Sequence, residues 1–186
     1  MPYPNLIDLV VLAVTAKEPT TISGISKVAK AITPGSWAPT LDAVAAAVDR
    51  SLVAGHLLPV DCESFDTRLQ LSNSGRKRVN DLLLDPSGSS RQTCASTWAT
   101  VKICCLDLAD EETIRVVLAR LSRTVTQEIL CLEQRLTSCP HVGPFTRAWF
   151  NLERERLDAM VRLVSEAGSA AASLKQNQLA HGEVIR

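Results

Sequence analysis

Aromatic side chains make up only 4% of this 186-residue sequence. A core with so few rings is filled by aliphatic groups, which suits helices laid against helices. Net charge is missing too: 20 Lys and Arg are cancelled by 20 Asp and Glu. Residues 1–84 repeat the balance, with four Lys and four Arg against eight acids. A strongly basic half would have pointed directly to a polyanion. Here any such contact depends on where individual charges sit. Apolar runs such as "LVVLAV" at 9–14 are far too short to span a bilayer. No basic N-terminal segment leads into an apolar stretch and a small-residue cleavage site. The expectation is a cytoplasmic protein with no membrane partner.

The groups that carry catalysis are sparse as well. His56, His141 and His181 are scattered, and neither a glycine-rich phosphate loop nor a nucleophile elbow is present. An enzyme is not expected. The six cysteines (Cys62, Cys94, Cys104, Cys105, Cys131 and Cys139) lack regular spacing and contain no Cys-x-x-Cys pair. Adjacent Cys104 and Cys105 on a helix point their thiols apart, so zinc is a poor match. Reduced and mostly buried thiols are the simpler reading, with no metal or cofactor.

What the sequence does contain is periodicity. Hydrophobic content of 46% is ample for a packed core. Residues 5–16 read as a first helix with Asn5 as a possible N-cap, and 22–32 as a second with Ile25, Val28, Ala29 and Ile32 at helical spacing. "TPGSWAP" breaks the chain. Pro39 then suits the first turn of a third, alanine-rich helix with Leu41, Val44, Val48 and Leu52 inward, ended by Gly55. "HLLPV" (56–60) and "TRLQLS" (67–72) read as two strands of a hairpin, and 72–84 as a fourth helix. A Ser-, Gly- and Pro-rich linker follows at 85–96. Beyond it lie helices only: 97–108, a run from Asp110 to about Ser138, and Phe145 to Ala167. Three helices, a hairpin and a closing helix form the order of a winged helix-turn-helix. The fold class is therefore mainly α with a small two-stranded β-wing, followed by a helical region. The domain reading is a DNA-binding domain at 1–84, a linker at 85–96, a helical dimerisation domain at 97–167 and a flexible tail at 168–186.

Three segments carry a family likeness: "GHLLP" (55–59), "LQLSNSG" (69–75) and "FTRAWFNLERERLDAMVRLV" (145–164). In this order the chain resembles the PadR-like winged-helix bacterial transcriptional regulators. The resemblance implies a sequence-specific DNA-binding regulator, most simply a repressor, acting as a homodimer on a pseudo-palindromic operator. It also implies that interface aromatics can stack on a flat hydrophobic effector. One departure stands out. The family has a tyrosine and more polar residues along its recognition helix, where this sequence has "DAVAAAV".

Candidate DNA contacts are Lys27 and Lys30 on the second helix, Ser36, Trp37 and Thr40 at the entry to the third, and Arg68 on the wing. Each has a plainer alternative: solvated charge for the lysines, core packing for Trp37, a surface pair with Asp61 or Asp66 for Arg68. "GRKR" (75–78) reads more simply as the cap and solvated face of the fourth helix. Candidate dimerisation residues are Trp98, Leu118, Leu121, Trp149, Phe150, Leu157 and Met160. Double-stranded DNA, a second copy, and a small hydrophobic effector or protein partner are the expected partners. The rival function is a winged-helix protein-interaction module, or an antagonist that pairs with another regulator and has no DNA affinity of its own.

Overall fold

The computed structural model describes residues 4–32, 38–60, 67–86, 95–138 and 143–182; the side chains of Pro4, Ala95, Ser96 and residues 174–182 are left aside. Ser36, Trp37, the wing tip at 61–66 and His141 therefore lie outside the described residues. The chain forms two compact units, Met1–Thr113 and Ile114–Arg186.

The first unit is built around α1 (Pro4–Lys17). Leu6, Leu9, Val10, Val11 and Leu12 are all fully buried. These positions cover several faces of the helix, which marks one surrounded by neighbours rather than lying on a surface. α2 (Ile22–Ile32), α3 (Leu41–Val53), α4 (Asn73–Leu84) and α5 (Ala95–Cys105) all pack against it. Thr15, buried at its C-terminal end, donates its hydroxyl to the Val11 and Leu12 carbonyls and so needs no outside partner.

α3 begins at Leu41, two residues after Pro39, which therefore precedes the helix instead of opening it. Thr40 is its N-cap, with an extended backbone and a hydroxyl that accepts from the Ala43 amide. At the other end the Gly55 amide donates to Leu52 and the His56 amide to Ser51. That is the Schellman pattern, and it requires the positive φ of 70° that Gly55 adopts. The reversal feeds β1 (Leu57–Pro59), antiparallel to β2 (Leu69–Leu71), with Leu57 opposite Leu71 and Pro59 opposite Leu69. Leu57, Leu69 and Leu71 turn inward and Leu58 outward.

The "LQLSNSG" segment has a local explanation. Ser72 caps α4 by accepting from the Gly75 amide. A Cβ on Gly75 would stand 2.3 Å from the His56 carbonyl oxygen and 2.5 Å from Leu71 Cδ1. Only glycine lets the first turn of α4 approach the root of the wing so closely. Ser72 and Ser74 also both donate to the Gly55 carbonyl, tying the end of α3 to the start of α4.

The wing has a third member that periodicity did not reveal. Thr20 bridges Leu69 in antiparallel fashion, exchanging two backbone hydrogen bonds. A single residue of pairing is too short to produce an alternating pattern.

α5 packs on α1 and α2, although 97 onward reads from sequence as part of the helical half. Trp98, Val101 and Cys105 are buried. Lys102, only 7% exposed, donates to the Asp85 carbonyl and lies 5.3 Å from the centre of the Trp98 ring. Both contacts offset the loss of hydration. A 3-10 turn (Leu106–Leu108) follows, and Asp110 accepts from the Thr113 amide near the start of α6 (Glu111–Ser138).

The second unit is a hairpin of α6 with α7 (Pro144–Gly182). Val125, Leu132, Phe150 and Leu157 form its core, with Ile129 and Met160 packed against them. α7 continues well past the expected end at Ala167, because "SEAGSAAASLKQNQ" holds good helix formers and only one glycine.

Candidate nucleic-acid and subunit interfaces

Lys27 and Lys30 sit on the exposed side of α2, opposite the buried Ile25 and Ala29. Three residues apart, they are neighbours on the helix surface. Neither forms an ion pair among the described residues. Thr40 is exposed where α3 begins, and its hydroxyl oxygen is already committed to the Ala43 amide. The positive dipole end of that first turn is met by the helix's own Asp42 carboxylate. Ser36 and Trp37 lie outside the described residues.

Arg68, the candidate wing contact, is anchored to the segment that precedes α2. Its guanidinium donates through Nε and Nη2 to the Pro19 carbonyl, at 3.2 and 2.9 Å. With the Thr20–Leu69 bridge, this fastens the segment between α1 and α2 to the wing. Arg68 is exposed, so the far edge of its planar group still faces solvent.

The outer stripe of α3 was not anticipated. Asp42, Ala46, Asp49 and Val53 recur at intervals of four, three and four, and all four are exposed. Val53 is 92% exposed, and Leu41 beside the cap is 54% exposed. The helix has one cation, Arg50, which is paired with Asp8 at 2.6 Å. On the wing, Leu58 and Val60 add further exposed apolar surface. The signal was legible in "LDAVAAAVDRSLV" once the inward valines are set aside. Arg76 and Lys77 of α4 are exposed, as the solvated reading of "GRKR" implies.

In the second unit, Phe150 and Leu157 are buried against α6 and Met160 is partly buried beside them. Leu118 and Leu121 are half-buried on α6. Trp98 is buried in the first unit. Trp149 is 51% exposed and meets Phe150 edge-on, with ring centres 5.1 Å apart. It belongs to a second stripe of α7: Phe145, Trp149, Leu152, Arg156, Ala159 and Leu163, spaced four, three, four, three and four, and all exposed. Phe145 is 90% exposed. This four–three spacing is the repeat of a helix seam, and its members are exposed among the described residues. Arg156 donates to Glu153 and lies near Glu128, and the bond holds the Glu153 carboxyl below its ordinary range. Arg154 joins Glu133 to Asp158.

Cys104 and Cys105 are both held toward the protonated thiol. Burial pushes Cys105 up to about 12, and burial followed by the Asp107 charge raises Cys104. Among the described residues, no group of three or more His, Cys, Asp or Glu is placed to hold a metal ion. No helix of the described residues is long and apolar enough to cross a membrane.

The chain is similar to two solved structures of Bacillus subtilis PadR. One, in complex with operator DNA, is 12% identical, with a TM-score of 0.39, covering 89% of this chain and 97% of that one. The other, in complex with p-coumaric acid, is 11% identical, with a TM-score of 0.41, covering 93% of this chain and 97% of that one. No family model matches the sequence, and no curated protein matches it.

Proposed function

We propose that this protein is a winged-helix, DNA-binding transcription regulator that works as a homodimer, most simply as a repressor. The observation that carries the reading is the junction of α2, α3 and the wing. α3 starts at an exposed cap, runs with Asp42, Ala46, Asp49 and Val53 exposed along its outward face, and is turned by Gly55 into the wing. Lys27 and Lys30 stand exposed on the preceding helix. A helix presented in this way enters a major groove while its neighbour's cations meet the flanking phosphates. The exposed stripe of α7 is the proposed seam between copies, setting two such junctions on successive grooves of a pseudo-palindromic site. A ligand or protein acting on the helical hairpin would then alter their spacing and release the operator.

A second reading has its own support. Asp42 and Asp49 with exposed Leu41, Val53, Leu58 and Val60 make a surface that also suits a basic, amphipathic protein segment. One experiment separates the two: the affinity of the purified protein for duplex DNA across a salt series. Two lysines per protomer give about four phosphate contacts per dimer, and a slope of log K against log salt near −3.5. Lys27→Ala with Lys30→Ala flattens that slope. Failure to bind duplex at the lowest salt favours the interaction module, or an antagonist that dimerises without DNA affinity.

A further inference from the structure

The outward side of α3 lacks the side chains that read purines. Guanine and adenine are recognised in the major groove by Arg, Lys, Asn or Gln, whose donors meet N7 with O6, or N7 with N6. Arg50 is the only such residue in α3, and Asp8 holds it. The exposed stripe offers two carboxylates, Asp42 and Asp49, and two aliphatic groups, Ala46 and Val53. A carboxylate accepts from the N4 amino group of cytosine, and an aliphatic group packs on the C5 methyl of thymine. Beside guanine the same carboxylate faces two acceptors, N7 and O6, and is repelled; beside adenine the N7 acceptor opposes it next to the N6 donor, a poorer match than cytosine.

Resting on the DNA-binding reading above, we propose that α3 reads pyrimidines: Asp42 and Asp49 select cytosine amino groups, while Ala46 and Val53 select thymine methyls. Seven residues separate the two carboxylates in sequence, about 10 Å along the helix. At 3.4 Å per base along a strand, that is about three base-pair steps. A helix lying along the groove therefore asks for two cytosines about three steps apart. Ala46 places a thymine between them, and Val53 places another beyond the second. Selection works by exclusion as much as by attraction, since both carboxylates oppose the two acceptors of guanine and the N7 of adenine. It also separates the tasks. Lys27 and Lys30 supply affinity on the backbone, and the α3 stripe, which repels phosphate, supplies only discrimination.

The test has two arms. Purified protein selects duplexes from a random library, and the enriched site is then rebuilt with deoxyuridine in place of thymine. That change removes the methyl, keeps the base pair and leaves the protein untouched. Affinity is expected to fall about fourfold for each contacted methyl. In the second arm, Asp49→Asn is expected to exchange cytosine for adenine at one position, because an amide pairs bidentately with adenine. An enriched site that keeps its full affinity with deoxyuridine, or that Asp49→Asn selects unchanged, overturns pyrimidine reading while leaving duplex binding intact. Enrichment of no duplex at any salt overturns the DNA-binding reading, and pyrimidine reading with it.

Discussion

The Arg50 guanidinium meets the Asp8 carboxylate at 2.6 Å, linking α3 back to α1 across 42 residues of sequence. The pair is half-exposed at Arg50, so its contribution to stability is small, about 0–1 kcal/mol. On the proposed DNA-binding reading its consequence is larger, because it engages the only cation of α3.

Asp8→Ala releases that cation. Folding stability is expected to change by no more than about 1 kcal/mol, measured by urea denaturation. Duplex affinity at low salt is expected to rise, with the salt slope steeper by up to about two for a dimer.

Gly55 and Gly75 are expected to resist substitution for different reasons. A Cβ on Gly55 meets nothing within 4 Å, so Gly55→Ala is opposed only by the left-handed backbone, about 1–2 kcal/mol. Gly75→Ala drives a methyl into the His56 carbonyl and Leu71, and because backbone must move, the loss is expected to exceed that of Gly55→Ala. Urea midpoints compared with the parent protein check the order.

Much of the winged helix was legible because its signals are local. Gly55 after an amphipathic run, the Leu69–Leu71 alternation, and Ser72 three residues before Gly75 each record a nearby hydrogen bond or close approach. The elements that escaped depend on partners distant in sequence. Thr20 pairs with Leu69 and Arg68 reaches Pro19, and neither position carries a periodic mark. α5 reads as a helix, but nothing in its own pattern says that α1 and α2 are its neighbours. The stripes of α3 and α7 were present in the spacing all along. They were obscured by the inward-facing valines and leucines with which they share a helix.

Cys105 is expected to be inert toward thiol reagents in the native protein at pH 8. Its thiol is buried, and with a pKa pushed up to about 12 almost none of it is thiolate. Exposed Cys104 is expected to react more slowly than a free thiol, because its pKa is raised too. Time-resolved labelling with mass spectrometry reads both sites. Rapid modification of Cys105 without unfolding would overturn this expectation.

The two stripes of α7 predict opposite outcomes for neighbouring substitutions. Leu157 lies in the α6–α7 core, so Leu157→Ala is expected to lose about 2–5 kcal/mol of hairpin stability. Leu152, five residues earlier in sequence, is 66% exposed and touches that core little. Leu152→Glu is expected to leave the helical circular dichroism unchanged while halving the mass measured by light scattering. A carboxylate on the seam meets its symmetry mate, or an apolar neighbour, and must be desolvated either way. Loss of the dimer should also weaken duplex binding, because a single junction keeps only about half of the phosphate contacts. An unchanged mass for Leu152→Glu would show that this face of α7 holds no subunit interface.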